Sequence, residues 1–256
     1  MAATKKTLDR VLSRAGLCSR TAAREQIAAG RVQVNGQVVR DPDVWIDLVR
    51  DKVLCDGAAL RAQKKEVWML HKPVGYMTTA SDERDRATVY ALLPKDLPWL
   101  APVGRLDQDT SGLLLFTNDS DLANAITDPA TKLGKTYEAR CAGALADAAV
   151  ARLRAGVVLD DGPTQPARVE RLAADATSTL LRLSISEGRN RQVRRMLEAV
   201  GSHVLDLHRT SIGPLELGDL PLGTARTLTA AERQALRSAL KARRDRRPRT
   251  NRDRAR

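Results

Sequence analysis

The chain has 256 residues, a formal net charge of +12 and a sequence pI of about 10.2. Such a length suits one large domain or a small one beside a medium one, and with one phenylalanine, three tryptophans and three tyrosines a reader built on rows of stacking rings is disfavoured. A basic excess of this size points to a polyanionic partner, because Lys and Arg release counterions from a phosphate backbone.

Taken in chain order, the first 60 or so residues read as a compact αα-ββ unit. Leu8, Val11, Leu12 and Ala15 recur at helical spacing before Gly16 stops the run. Ser19 can cap a second helix to about Ala29, which Gly30 ends. Alternating valines from Arg31 to Val39 around Asn35-Gly36 predict a hairpin, since both turn residues tolerate positive φ. A further strand is expected at Lys52 to Cys55, with a turn at Asp56-Gly57. Arg10, Arg14, Arg20, Arg24 and Arg31 stud this unit and suggest a phosphate-contacting face; a plain solvated helix surface is the other reading.

The run Leu17-Cys18-Ser19-Arg20, followed by Ala28-Ala29-Gly30-Arg31-Val32-Gln33-Val34-Asn35-Gly36, resembles an S4-type RNA-binding domain. That resemblance implies docking on structured RNA through Arg20, Arg24 and Arg31. The family's Ser-Arg-Arg stands here as Ser19-Arg20-Thr21, so one phosphate contact is absent or comes from Arg24.

Polar residues near Ala62 to Lys65 link to a second domain, giving boundaries of 1–62, 63–240 and a basic tail at 241–256. Strands are predicted at Val67 to Leu70, Leu113 to Thr117, Thr136 to Arg140, Leu180 to Ile185 and Val204 to Leu207. Helices are predicted at Ser120 to Thr127, Asp147 to Ala155 and Gln192 to Val200. Their irregular alternation favours an α+β fold with a mixed, mainly antiparallel sheet flanked by helices. Thr229-Ala-Ala-Glu232 forms a capping box that opens a last helix. From Lys241 onward nine basic residues face two acidic ones, a composition expected to stay disordered off RNA.

The segment Val103-Gly-Arg-Leu-Asp107-Gln-Asp109-Thr-Ser-Gly-Leu-Leu-Leu-Phe-Thr117 sets an acidic, glycine-bracketed loop at the mouth of an apolar strand. Read from residues alone, it is a plain turn or a place for carboxylate chemistry. Asp107 and Asp109 also suggest a glycosidase pair, although two residues apart on an extended loop they need not share a site. The whole segment resembles the Gly-Arg-Leu-Asp motif of RsuA/RluB-type pseudouridine synthases. Leu70-His-Lys72-Pro-Val-Gly75, Lys135-Thr-Tyr137, Asp161-Gly-Pro-Thr164 and Glu187-Gly-Arg189-Asn-Arg191-Gln-Val-Arg194-Arg195-Met196 match other motifs of that family in order.

The resemblance implies an RNA isomerase with Asp107 as catalytic aspartate, Arg194 as its ion partner and Tyr137 packed on the target uridine. It implies that Arg105 enters the RNA stack and helps hold the base flipped out. Lys72, Arg189, Arg191 and Arg195 are read with it as RNA contacts. On a helical wheel, Arg194 borders the stripe of Val193, Met196, Leu197 and Val200, whereas Arg191 and Arg195 lie opposite it. The reaction breaks N1–C1′, turns the uracil and bonds C5 to C1′. Asp107 either attacks C1′ or takes the 2′ proton to give a glycal. Neither redox change nor outside atom is needed, so no cofactor is expected.

Cys18, Cys55 and Cys141 are scattered without CxxC spacing, and His71, His203 and His208 show no zinc pattern. These features predict a cytoplasmic, metal-free protein with reduced thiols; the longest apolar runs are strand-sized, so no membrane span is expected, and a monomer is expected. Its partner is expected to be ribosomal RNA or a ribosomal assembly intermediate. The late motif resembles large-subunit rRNA enzymes, and Leu207-His-Arg209 resembles the small-subunit enzyme; the first is favoured. A non-catalytic ribosome-assembly factor fits the charge and the N-terminal unit equally well, but not the presence of Asp107, Tyr137 and Arg194 together.

Overall fold

A computed structural model describes residues 5–60, 63–80 and 82–245. Chain packing divides the molecule into two compact units, one reaching to Val67 with Pro94–Ala101 and Phe116–Ser120, the other holding the rest.

In the N-terminal unit, β1 (Lys5–Thr7) leads into α1 (Leu8–Arg14) and α2 (Arg20–Ala28). Ser19 caps α2 by accepting from the Ala22 N–H at 3.1 Å. Strands β2 (Val32–Val34), β3 (Gln37–Val38), β4 (Trp45–Asp47), β5 (Val53–Cys55) and β6 (Ala58–Ala59) follow. They form a four-stranded sheet, β3-β2-β5-β6, and a separate β1-β4 pair. The hairpin turn at Asn35-Gly36 has φ of 52° and 84°, as a type I′ turn requires. Leu8, Val11, Leu12, Ala23, Ile27, Val32 and Ile46 make the core. The αα-ββ expectation thus holds in outline but missed β1, β4 and β6, which are two or three residues long and too short to show alternation.

The second unit is built on a nine-stranded sheet. Its elements are β7 (Val67–Lys72), β8 (Ala101–Val103), β9 (Ser111–Thr117), α3 (Ser120–Thr127), β10 (Lys135–Ala142) and α4 (Asp147–Ala155). A small hairpin, β11 (Val158–Leu159) with β12 (Gly162–Pro163), comes next. Then come β13 (Arg168–Ala174), β14 (Ser178–Ile185), α5 (Gln192–Glu198), β15 (Val204–Ile212), β16 (Leu215–Glu216), β17 (Ala225–Thr227) and α6 (Ala230–Asp245). The main path runs β13-β14-β10-β15-β9-β7-β17, antiparallel in the pairings of β10, β13, β14 and β17 but parallel between β9 and β15.

Leu113 to Phe116 on β9 are all fully buried, so this strand is covered on both faces. Each such side chain contributes roughly 1.5–3 kcal/mol relative to exposure. Toward β13 the sheet becomes one-sided. Tyr137, Ala139 and Cys141 of β10 point into the core, whereas Glu138 faces out and accepts from Arg182 at 2.8 Å, with Glu170 3.5 Å from the same arginine. Strand β13 escaped the sequence reading because it is a polar edge strand with a bulge between Arg171 and Ala173.

The capping box forms as expected: the Thr229 N–H donates to Glu232 Oε2 at 2.7 Å, and the Glu232 N–H donates to Thr229 Oγ1 at 3.2 Å. The last helix, however, runs to Asp245, which corrects the expectation that disorder begins at Lys241. Arg243 donates to the Thr131 and Lys132 carbonyls and so ties that final turn to the body. The rest of the expected tail, 246–256, lies outside the described residues. Among the described residues no helix is long and apolar enough to cross a membrane.

Candidate active site

Gly104 to Thr110 form the loop between β8 and β9, and its backbone is fastened at three places. Lys72, at the end of β7, is fully buried; its Nζ donates to the carbonyls of Asp107 (3.0 Å), Thr110 (2.8 Å) and Pro73 (3.0 Å). Thr78 Oγ1 donates to the Leu106 carbonyl at 2.7 Å. The Gly75 N–H donates to the Gln108 carbonyl at 2.8 Å. The Asp107 backbone is therefore fixed while its carboxylate stays about a third exposed. Burial pushes the Lys72 ammonium down to about 8, partly offset by the charges of Asp109 and Asp107. Lys72 has no surface to offer a phosphate, so its reading as an RNA contact is corrected to that of a loop brace.

Facing this loop is the start of α5. Arg191 sits at the N-cap with φ of 47°, in the left-handed region. Its Nη1 lies 3.5 Å from Asp107 Oδ2 and 3.4 Å from Asp109 Oδ1, and its Nη2 lies 3.2 Å from Asp109 Oδ2. One guanidinium thus draws the two carboxylates into one site. Arg194, buried, sends Nη2 to the Asp109 carbonyl (2.9 Å), Asp109 Oδ2 (3.2 Å) and Thr110 Oγ1 (3.4 Å). Burial raises the Asp109 carboxyl, but the hydrogen bond from Arg191 and the charges of Arg194 and Arg191 outweigh it and hold the group below its ordinary value.

The expected Arg194–Asp107 pair is therefore replaced by Arg191–Asp107, with Arg194 on Asp109. The wheel failed because it treated residue 191 as helical. At the N-cap, a left-handed backbone aims the side chain back across the cleft instead of out to the far face. Arg195, also expected outside, makes a bidentate pair with Asp161 at 2.9 and 3.1 Å. Arg189 donates to the carbonyls of Gly162 (2.9 Å) and Pro163 (2.5 Å) and lies 3.3 Å from Asp161 Oδ1. These two arginines pin the turn between β11 and β12 to the late motif, so much of their donor capacity is already used.

A cleft of about 400 Å³ opens between the loop and α5, lined by Arg105, Asp107, Tyr137, Arg191 and Leu207 among others. Tyr137 forms its wall and is 9 % exposed; Arg105 is exposed at its rim. A second groove of about 540 Å³ lies on the outward face of the sheet, lined by Glu138, Arg182, Glu170 and His208. The charge ladder of Glu138, Arg182 and Glu170 satisfies itself there and leaves no reactive group. His208 packs edge-on to His71 with ring centroids 5.2 Å apart and meets Ser111 Oγ at 2.9 Å, a bracing contact between β15 and β9.

In the N-terminal unit, Arg20 and Arg24 meet the fully buried Asp9 at 2.8 and 3.2 Å, Arg24 also pairs with Asp43 at 2.9 Å, and Arg31 pairs with Asp56. Three of the five arginines expected on the phosphate-contacting face are thus internally paired, with half-exposed guanidinium groups. Asp9 was missed because a lone acid on a basic helix carries no pattern. Burial acts to raise its carboxyl, yet the Thr7, Arg20 and Arg10 hydrogen bonds bring it down to about 2.

A carboxylate on a fixed loop, a guanidinium across from it and a tyrosine on the wall thus share one cleft. The family model described as RNA pseudouridylate synthase matches residues 66–199, and the S4 domain model matches residues 6–44. The chain belongs to the RNA pseudouridylate synthase family. It is 38% identical over 234 residues to the ribosomal large subunit pseudouridine synthase B of Bacillus subtilis, covering 90% of this chain and 95% of that one. It is 39% identical to an uncharacterized RNA pseudouridine synthase of Aquifex aeolicus, covering 88% of this chain and 91% of the relative. A crystal structure of a pseudouridylate synthase superposes with a TM-score of 0.65 at 33% identity, over 90% of this chain and 99% of the other. The α+β expectation and the resemblance to pseudouridine synthases are both borne out.

Proposed function

We propose that this enzyme isomerises a uridine of large-subunit ribosomal RNA to pseudouridine, with Asp107 as the group that meets the ribose. The observation that carries the reading is the Asp107 carboxylate, held at the mouth of a cleft between Tyr137 and Arg191. The likeness to the Bacillus subtilis large-subunit enzyme supports the choice of RNA.

Arg191 faces the Asp107 carboxylate across the cleft, its Nη1 3.5 Å from Oδ2. The carboxylate attacks C1′, or takes the 2′ proton to give a glycal, as the N1–C1′ bond breaks. Tyr137 stacks on the uracil while it turns, and C5 then bonds to C1′ as the Asp107–C1′ bond breaks or C2′ regains its proton, with the C5 proton leaving. Arg105 at the rim helps hold the flipped nucleotide. Arg194 keeps Asp109 and Thr110 in place. Arg20, Arg24 and Arg31 exchange their aspartate partners for phosphates when RNA docks. Arg189 and Arg195 turn their remaining donors to the backbone beside the target. Residues 1–62 serve as the docking domain and 63–240 as the catalytic domain. The enzyme works in the cytoplasm as a monomer, on rRNA or an assembly intermediate.

Tritium release from RNA carrying 5-³H-uridine, followed by site mapping of pseudouridine in rRNA, tests this directly. Release with modification in large-subunit rRNA is expected. Absence of release would leave an RNA-binding assembly factor, and modification confined to the small subunit would overturn the choice of RNA.

A further inference from the structure

Beneath the cleft lies a cation that the scheme above does not use. Arg209 on β15 is 3 % exposed. Its Nε donates to the Leu113 carbonyl at 2.8 Å, while its Nη2 is buried with no hydrogen-bond partner among the described residues. No carboxylate among the described residues pairs with it, whereas Asp107 and Asp109 are already matched by Arg191 and Arg194. Its Cζ lies 6.0 Å from the centroid of the Tyr137 ring. The register places Arg209 opposite Tyr137 on one side and Gly112 on the other.

That placement is tightly determined. A β-carbon at Gly112 would stand 2.3 Å from the Arg209 carbonyl oxygen and 2.5 Å from its nitrogen, so only glycine lets β9 lie this close to β15. The guanidinium field also reaches the neighbouring ammonium groups. Burial lowers Lys72 and Lys135, and the Arg209 charge lowers both further. A buried cation without a counter-ion carries a large desolvation penalty. Its charge becomes favourable once negative charge arrives nearby.

We infer that Arg209 is a positioning residue for the isomerisation: it holds Tyr137 from behind and, through that ring, steadies the uracil while the base is detached from the sugar. The inference rests on the isomerase reading. When N1–C1′ breaks, the bonding pair stays on N1 and the free uracil is an anion, delocalised onto its two carbonyl oxygens. The electron-poor C1′ is taken by the Asp107 carboxylate, or the 2′ proton is. C5 then bonds to C1′ as the Asp107–C1′ bond breaks or, on the glycal route, as C2′ takes its proton back; the C5 proton leaves and N1 gains a proton, so no atom is added or lost. The detached base is the species in this sequence that brings new negative charge to the Tyr137 wall. A fixed positive charge behind the ring stabilises it without reorganising.

The test uses the full chain and two RNAs of the same rRNA sequence, one with uridine and one with 5-fluorouridine. Fluorine withdraws electrons, so the fluorinated base leaves as a more stable anion and needs the protein's charge less. Single-turnover consumption of the target nucleoside is measured by digestion and chromatography, and folding is checked by thermal melting. Arg209→Gln keeps a donor for Leu113 but removes the charge. It is expected to slow uridine RNA about 100-fold and fluorinated RNA only about tenfold, whereas Arg209→Lys keeps the wild-type ratio of the two within about twofold. Equal losses on both RNAs with Arg209→Gln, or no loss on either, overturn the inference. If Arg209→Gln does not fold, Arg209→Lys decides. A rate within about tenfold of wild type at an unchanged ratio supports a charge requirement, and a larger loss overturns it. Failure of the wild-type chain to consume uridine at all would instead sink the isomerase reading.

Discussion

The carboxylate of Asp107 answers to Arg191, whose Nη1 is 3.5 Å from Oδ2, while Arg194 is spent on Asp109 and on the backbone that follows it. The two arginines therefore have separable effects. Arg191 is half-exposed and rests on carboxylates; Arg194 is buried and rests mainly on the loop. Arg191→Ala should lower turnover by about 10²-fold with little change in melting temperature, since one preorganised charge is lost from the cleft. Arg194→Ala should destabilise the fold by about 1–3 kcal/mol, because it leaves the Asp109 carbonyl and Thr110 Oγ1 without their buried donor. Thermal melts beside single-turnover rates check both; a large loss of stability with Arg191→Ala and none with Arg194→Ala would reverse the assignment.

Asp107→Asn should abolish isomerisation and leave RNA affinity within about threefold, since it removes the reacting group but keeps the basic surface. Asp109→Asn should keep measurable activity, because Asp109 positions Arg191 and does not face the ribose in this scheme. Tritium release and filter binding separate these outcomes. Activity of Asp107→Asn within tenfold of wild type would remove Asp107 from the chemistry.

Lys72 gives the protein opposite pH trends in stability and activity. Its folded pKa of about 8 lies below the ordinary lysine value of 10.5. Between those values the unfolded chain binds more protons than the folded one, so stability rises with pH, by about 1 kcal/mol per pH unit. Over the same window the amine loses one of the protons that hold the Pro73, Asp107 and Thr110 carbonyls, and turnover should fall above about pH 8. In Lys72→Met both trends should vanish. Urea melts and turnover at pH 7.5 and 9.5 decide; an alkaline fall in turnover that persists in Lys72→Met would assign it elsewhere.

Much of this molecule was legible before any coordinates. The capping box at Thr229, the Asn35-Gly36 hairpin and helices at Ser120–Thr127 and Asp147–Ala155 follow from local chemistry, and the structure has all of them. What failed was the placement of arginines. Helical periodicity has no information on the residue that starts the helix, and Arg191 is that residue. Donor capacity is likewise invisible in sequence: Arg189, Arg195, Arg20, Arg24 and Arg31 read as free surface charge until their aspartates, brought from 11 to 34 residues away, appear beside them. Lys72 shows the same limit from the other side, because a lysine next to a proline gives no hint of complete burial.

The paired arginines of the N-terminal unit lead to the last prediction. Arg24–Asp43 and Arg31–Asp56 join half-exposed partners, and such solvent-screened pairs add little stability. An RNA phosphate can therefore displace the aspartate, but it must desolvate a guanidinium that already has a partner and overcome the local negative charge. Replacing Asp43 and Asp56 by Asn removes two negative charges, leaving Arg31 with no acidic partner among the described residues and Arg24 with Asp9 alone. Asn suits position 56, whose φ is 48°. The double variant should bind rRNA more tightly at low salt, and the slope of log affinity against log salt should steepen by about one to two, as one or two more counterions are released. Site choice should not change, since phosphate contacts position a protein without reading sequence. Filter binding across salt concentrations, with pseudouridine mapping of the same RNA, gives all three quantities. Unchanged affinity and slope would mean that Arg24 and Arg31 do not face the RNA, and a shifted modification site would mean that this unit selects the target through these arginines.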